Sequence, residues 1–179
     1  GVILNQVHEE KREMITDYMT RALSRWNIPL CGCIPYHSFL SSPTMGDFEQ
    51  LFQTKLMTGE EFRLHHFKQI RLIATSVEMY RTAIRPNQLI ITPASREDIV
   101  LATLTRFWDL KIAHSHQDLQ AGFILTGKQP PKGALIEQIR RAGIPMLHAP
   151  VSSFTSLKMI THLTSKIRKD NTPKIHQAI

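Results

Sequence analysis

Residues 88–99 read Gln-Leu-Ile-Ile-Thr-Pro-Ala-Ser-Arg-Glu-Asp-Ile, and this stretch decides the fold class. Its first part, 88–92, is a short apolar run of the kind found in fully buried strands. Ser95 is predicted to cap a following helix, because Glu97 and Asp98 would then lie in its first turn, where acids favour the positive end of the helix dipole. The stretch is therefore a strand that leads through a turn into a helix.

The same order of strand and helix repeats on both sides of this stretch. The predicted elements are strands at 70–74, 88–92, 122–127 and 144–148, and helices at 77–84, 95–107, 133–142 and 153–167. Strands separated by helices are typical of a mostly parallel sheet with helices on both faces. The predicted fold class is α/β.

The first 55 residues show a separate strand, helix and strand pattern, which predicts a βαβ unit. A loop rich in Ser, Pro and Gly follows at 36–47, and then a short helix near 47–53. The tail is basic and is broken by Pro173, which is typical of a linker. We place a first unit at 1–55, a linker at 56–68, a second α/β unit at 69–168 and a basic linker at 169–179.

Two polar turns are expected to share one edge of the sheet, which we call the carboxyl-edge rim. One follows the strand at 88–92, and the other, Thr-Gly-Lys at 126–128, follows the next strand along the chain. Ligands of open α/β sheets bind beside the carboxyl ends of the strands. The sequence predicts a rim that binds an anion or faces another subunit, formed by Ser95, Arg96, Glu97, Asp98, Thr126, Gly127 and Lys128.

Each group at this rim has a plausible chemical role. The guanidinium of Arg96 can clamp a phosphate or carboxylate, or pair with an acid across a subunit contact. Thr126 offers a hydroxyl, Gly127 can adopt a positive φ, and Lys128 supplies a point charge. The alternative is ordinary structure, with acids that stabilise a helix terminus and a solvated turn.

The sequence contains no motif that assigns catalysis. The motifs GxxxxGK[ST], GxGxxG, GxSxG and HExxH are all missing. His114-Ser-His116 with Asp118 places two histidines near an acid, but the remaining ligands of a zinc site are not evident. We predict a non-catalytic segment that holds no metal and no cofactor of its own.

The charge is moderately basic and dispersed. Lys and Arg total 22 against 15 Asp and Glu, a net charge of +7, and 42% hydrophobic residues predict a packed core. Basic residues alternate with acids and do not cluster with aromatic ones, so we expect no nucleic-acid partner. No apolar run is long enough for a membrane span. Cys31 and Cys33 are expected to be reduced, buried thiols, which indicates a cytoplasmic protein.

Three segments of the first unit resemble a known family. Gly-Val-Ile-Leu-Asn-Gln-Val at 1–7, Asn-Ile-Pro-Leu-Cys-Gly-Cys-Ile-Pro at 27–35 and Leu-Ser-Ser-Pro-Thr-Met at 40–45 are similar to the C-terminal part of a dethiobiotin-synthetase-like domain of the cobyrinic acid synthase type. The resemblance implies a βαβ remnant of a P-loop-type domain, with its phosphate loop upstream of Gly1. It would place Asn5 near a nucleobase.

The second unit resembles the DRTGG domain. The resemblance rests on Ile-Thr-Pro-Ala-Ser-Arg-Glu-Asp-Ile at 91–99, Ala-Gly-Phe-Ile-Leu-Thr-Gly at 121–127 and Ala-Gly-Ile-Pro at 142–145. The family motif has Asp before its arginine and a second glycine after Thr-Gly, where this chain has Ser95 and Lys128. The residues that match the family are Arg96, Asp98, Thr126 and Gly127.

In long-form phosphate acetyltransferases a DRTGG domain follows a dethiobiotin-synthetase-like domain, and a separate acyltransferase domain comes after it. The resemblance therefore implies a non-catalytic regulatory and oligomerisation module of a phosphate-acetyltransferase-like protein. It leaves an adenine nucleotide or a small anionic metabolite as candidate ligands, and a second copy of the chain and a downstream acyltransferase domain as candidate partners. The alternative is part of an ATP-dependent synthetase related to dethiobiotin synthetase.

Overall fold

The structure is a computed structural model that describes residues 1–113, 118–165, 167–169 and 171–178. His114 and His116 lie outside the described residues. The strands in these ranges are β1 Val2–Val7, β2 Leu30–Pro35, β3 Leu56–Thr58, β4 Gln69–Leu72, β5 Gln88–Pro93, β6 Gly122–Thr126 and β7 Met146–Ala149. The helices are α1 Arg12–Ser24, α2 Ser38–Ser41, α3 Met45–Phe52, α4 Val77–Ala83, α5 Glu97–Ile112, α6 Gly133–Arg141, α7 Ser153–Thr161 and α8 Thr172–Ala178, with 3-10 turns at Glu9–Lys11 and Glu60–Phe62.

Five strands form one sheet in the order β3-β7-β6-β5-β4. The strands β4, β5, β6 and β7 are parallel, and β3 adds an antiparallel edge strand beside β7. The strands β1 and β2 form a separate parallel pair, with α1 as the crossover between them. The predicted mostly parallel sheet and the N-terminal βαβ unit are both present.

The sheet is buried on both faces because its strand residues alternate. Ile90 of β5 belongs to one apolar cluster, together with side chains of α4, α5 and α6. Its neighbours Leu89 and Ile91 belong to a second cluster, together with side chains of α3 and α7. The predicted α/β fold with helices on both faces is confirmed.

The segment predicted as a linker at 56–68 contains secondary structure. Leu56 of β3 lies opposite Leu147 of β7, and the hydroxyl of Thr58 donates a hydrogen bond of 2.7 Å to the carbonyl of Ile144. The preceding helix α3, placed in the first unit by the sequence, buries Met45 and Phe48 in the core of the five-stranded sheet. The apolar face of α3 explains why this helix packs on the five-stranded sheet rather than on the first unit. The boundary at residue 55 stays a prediction.

Several predicted helix ends and one burial expectation differ from the structure. The prediction that Ser95 caps α5 was wrong, because Arg96 is the N-cap residue and no side chain caps the helix. The N–H of Arg96 donates to the carbonyl of Pro93, so Ser95 lies inside a turn that precedes the helix. Ser152 caps α7, which ends at Thr161 rather than at the predicted residue 167. The expectation of buried thiols was wrong, since Cys31 is exposed and Cys33 is only partly buried. No helix in the described ranges could cross a bilayer.

The tail predicted as a linker at 169–179 includes the short helix α8, which is anchored by a buried lysine. Lys174 is fully buried, and its ammonium donates to the carbonyls of Leu40 and Ser42 at 2.8 and 2.7 Å and to the hydroxyl of Ser165 at 2.7 Å. All three protons of the ammonium have acceptors. Burial lowers the pKa of Lys174.

Substitution of Gly59 should destabilise the protein more than substitution of Gly143. Both glycines have φ in the left-handed region, at +68° and +64°, so alanine should cost about 1–2 kcal/mol at either position. A Cβ at Gly59 would lie 2.6 Å from Cα of Pro145, whereas a Cβ at Gly143 meets nothing within 4 Å. Urea unfolding of Gly59→Ala should show an additional loss of about 1–3 kcal/mol. Equal losses in the two variants would contradict this reasoning.

Removal of the Lys174 ammonium should loosen α8. Lys174→Ala leaves buried acceptors without a donor, which costs about 1–3 kcal/mol. Hydrogen exchange of the amides in α8 should therefore accelerate by about 5–150-fold. Lys169→Ala is the matched control, because that lysine is exposed, and it should leave exchange in α8 unchanged.

Candidate functional site

The structure brings the two turns of the carboxyl-edge rim together. The N–H of Ala94, after β5, donates a hydrogen bond of 2.8 Å to the carbonyl of Thr126 at the end of β6. Further out, Nζ of Lys132 lies 2.8 Å from the carboxylate of Glu97. The first turn of α5 and the loop after β6 are thus linked by a backbone contact and by an ion pair.

The guanidinium of Arg96 is engaged within the rim. Its Nε and Nη2 donate to the two carboxylate oxygens of Asp98 at 2.8 and 2.7 Å, and Nη2 also donates to the carbonyl of Thr75 at 3.1 Å. The hydrogen bonds from Arg96 hold the pKa of Asp98 below its ordinary value. Arg96 therefore ties the turn after β4 to the start of α5, and it would have to leave Asp98 to clamp an external anion with the same atoms.

Thr126 and Gly127 serve the backbone and the neighbouring helix. The buried hydroxyl of Thr126 shares a hydrogen bond of 2.6 Å with the hydroxyl of Ser153 in the first turn of α7. Gly127 has a φ of +122°, its N–H donates to the carbonyl of Val151 at 2.9 Å, and its own carbonyl accepts from Nε2 of His148 at 2.8 Å. Gly127 is needed here because side chains rarely adopt this φ.

Ser95, Asp98 and Lys128 are the exposed members of the predicted set. Lys128 therefore places an ammonium at the rim in contact with solvent. Space beside Gly127 is open, since a Cβ there would meet nothing within 4 Å. Together with the N-terminus of α5, these groups give the rim some capacity to attract an anion.

Hydroxyl and imidazole groups at the rim form hydrogen bonds within the protein. The hydroxyls of Thr126 and Ser153 bond to each other, and Nε2 of His148 donates to the carbonyl of Gly127. Among the residues that the structure describes, no three His, Cys, Asp or Glu side chains could hold a metal ion. Two hydroxyls missed by the sequence, those of Thr92 and Ser156, are buried without a hydrogen-bond partner. No sequence signal distinguished these two hydroxyls from others in the chain.

Asn5 lies away from the rim. It lines an open groove of about 740 Å³ with Tyr36 and His37, at the carboxyl ends of β1 and β2. Its side-chain oxygen accepts a hydrogen bond of 2.9 Å from the N–H of Gln6. The structure therefore does not bring Asn5 together with the other predicted site residues.

A smaller cavity, of about 230 Å³, lies at the opposite edge of the five-stranded sheet, where β6 and β7 begin. We call it the amino-edge cavity. The sequence did not predict it, because its walls come from segments far apart in the chain. Among the residues that line it are Glu61, Phe62, Phe107, Lys111, Asp118 and Gly143.

These features define a class of protein: a parallel α/β module whose rim charges pair largely with one another. Within that class, residues 50–163 match the model of the DRTGG domain, and the chain belongs to the DRTGG domain family. The resemblance of the second unit is confirmed. The match begins within α3, which agrees with the packing of α3 on the five-stranded sheet.

The chain is also similar to part of several phosphate acetyltransferases. It is 27% identical over 180 residues to the phosphate acetyltransferase of Pseudomonas putida and 26% identical over 184 residues to that of Pseudomonas aeruginosa. Each alignment covers 96% of this chain and 25% of the relative. The chain therefore spans about a quarter of the length of these curated relatives.

A solved structure shares the fold. It contains the CBS and DRTGG domains of the regulatory region of Clostridium perfringens pyrophosphatase, complexed with the activator diadenosine tetraphosphate. The TM-score is 0.55 with 14% sequence identity, and the match covers 94% of this chain and 77% of that chain. At this identity the likeness supports the fold alone.

The pairing of Arg96 with Asp98 makes a prediction about pH. In Arg96→Gln the pKa of Asp98 should rise towards its ordinary value, as measured by carboxyl-carbon NMR titration. Because the pair lowers the folded-state pKa, its contribution to stability is full above the ordinary aspartate pKa and is lost as pH falls through the lowered value. In Arg96→Gln this loss of stability at low pH should be absent.

Arg106→Gln is the control, since Arg106 is an exposed arginine of the same helix. It should leave the titration of Asp98 where it is in the parent protein. An unchanged titration of Asp98 in Arg96→Gln would show that the arginine does not bind the carboxylate in solution.

Proposed function

We propose that the chain is a non-catalytic regulatory and self-association module of a phosphate-acetyltransferase-like protein. The single observation on which this rests is the alignment, which covers 96% of the chain but only a quarter of the phosphate acetyltransferases. Such a part can modulate an enzyme without containing its active site.

The proposed ligand is an adenine nucleotide or another small anionic metabolite, bound at the carboxyl-edge rim. Lys128 supplies an exposed ammonium beside the N-terminus of α5. Arg96 becomes a second cation when a phosphate or carboxylate displaces Asp98, because both groups suit its planar fork. The adenine part of the proposal draws support from the related regulatory region, which was solved with an adenine dinucleotide activator.

The proposed partners are a second copy of the chain and an acyltransferase domain downstream. A cytoplasmic location, and the absence of nucleic-acid and membrane partners, stay predictions. The first unit stays a candidate remnant of a dethiobiotin-synthetase-like domain, since its β1-α1-β2 order suits that assignment.

Titration of the chain with AMP, ATP and acetate-sized carboxylates by calorimetry, combined with light scattering, tests the proposal. Lys128→Gln should weaken binding by about two- to fivefold, the range of one exposed charge contact. Asp98→Asn should strengthen binding, because it releases the guanidinium of Arg96. Lys158→Gln, an exposed lysine on α7, should change nothing. A strict monomer that binds none of these anions would overturn the proposal.

A second candidate function is part of an ATP-dependent synthetase whose phosphate loop lies upstream. The groove beside Asn5 favours it, because ligands of parallel α/β units bind at the carboxyl ends of the strands. Under this alternative, Asn5→Ala weakens adenosine binding, whereas Asp98→Asn does not alter it. An intact phosphate-loop lysine upstream would support the synthetase, and a degenerate loop would support regulation.

A further inference from the structure

We propose that the amino-edge cavity binds a small organic cation, such as a quaternary ammonium metabolite. This site is separate from the carboxyl-edge rim and does not depend on the function proposed for that rim. The inference rests on four features of the cavity: the helix ends that meet there, its charged side chains, its aromatic walls and its size.

Two helices end at the amino-edge cavity. Lys111 lies in the last turn of α5, and Gly143 follows the C-terminal end of α6. The helix dipole places partial negative charge at each of these C-termini, which favours a cation nearby. The polarity of the α/β layers therefore gives this edge the opposite electrostatic sign to the carboxyl-edge rim.

The charged side chains of the cavity add to the negative electrostatic potential at this edge. Glu61 and Asp118 contribute two carboxylates, and neither forms an ion pair with another residue of the described ranges. Lys111 is the opposing charge. His65 also lines the cavity, and burial lowers its pKa, which disfavours the charged imidazolium that would repel a cation. The side chains thus favour positive charge.

The aromatic walls suit an ammonium group. Phe62 and Phe107 both line the cavity, and Nζ of Lys111 lies 5.5 Å from the centroid of the Phe107 ring. An ammonium at this distance from a ring is attracted by the negative face of its π-system. The protein's own lysine therefore occupies a cation-binding position, and a ligand cation would compete with it for the same ring.

The size of the cavity limits the ligand. A volume of about 230 Å³ is below the range of about 300–1,000 Å³ that is usual for drug-sized ligands. The ligand is consequently a compact metabolite rather than a dinucleotide. Apolar walls from Ala121, Ala142 and Ile144 favour alkylated ammonium groups over strongly hydrated ones.

Three probes of the same shape and different charge test the proposal on the whole chain. They are choline, the neutral 3,3-dimethylbutan-1-ol and the anionic 3,3-dimethylbutanoate, followed by amide chemical shifts in two-dimensional NMR. Choline should shift the amides of residues 61–62, 107–111 and 143–144 saturably. The alcohol should bind more weakly, and the anion should leave these amides unchanged.

Variants at exposed positions separate charge from shape. Asp118→Asn should weaken choline binding by about two- to fivefold, the effect of one partly exposed charge. Lys111→Gln should strengthen it, because the competing ammonium is removed. Asp109→Asn and Lys158→Gln, which are exposed and do not line the cavity, are the matched controls and should have no effect.

Each contrary result overturns the proposal. Equal affinity for choline and the alcohol would make the cavity a purely apolar site, and preferential binding of the anion would reverse its sign. Weaker choline binding in Lys111→Gln would place the lysine among the ligand's attractive contacts. Absence of shifts at the cavity amides up to the solubility limit of choline chloride would exclude binding. None of these results bears on nucleotide binding at the carboxyl-edge rim.

Discussion

The alternating side chains of β5 hold the two helical layers of the protein together. Leu89 and Ile91 are buried on one face of the sheet and Ile90 on the other. A strand buried on both faces requires helices on each side, and β4, β5, β6 and β7 run parallel. All four strands therefore end at one edge and begin at the other, and the two candidate sites occupy these two edges.

The sequence predicted those parts of the fold whose signals are local. The apolar runs at 89–91 and 123–125 are long enough to predict buried strands, and parallel strands place their following turns at one edge. The strand β3 was missed because it has three residues and its partner Leu147 lies far along the chain. Lys174 was missed because lysine is almost never fully buried, and only the folded chain supplies its three acceptors.

For the candidate sites, topology was more predictable than contacts. The sequence placed Arg96 and Thr126 at one rim, but it left open whether Arg96 was free or engaged. The structure shows it bound to Asp98 two residues ahead, a pairing that depends on the turn before α5. The amino-edge cavity could not be predicted at all, because lining residues such as Phe62 and Phe107 are far apart in the sequence and come to one cavity only in the folded chain.

The helix α5 joins the two edges as one rigid element. Its 16 residues begin at Glu97 in the carboxyl-edge rim and include Lys111 at the cavity, so the helix extends about 24 Å. Buried residues such as Ile99, Leu104 and Phe107 pack α5 against the core along its length. A displacement of the helix would therefore carry both of its ends. If a ligand at the rim and a ligand at the cavity both displace α5, their binding is thermodynamically linked. Each ligand then changes the affinity of the protein for the other by the same factor.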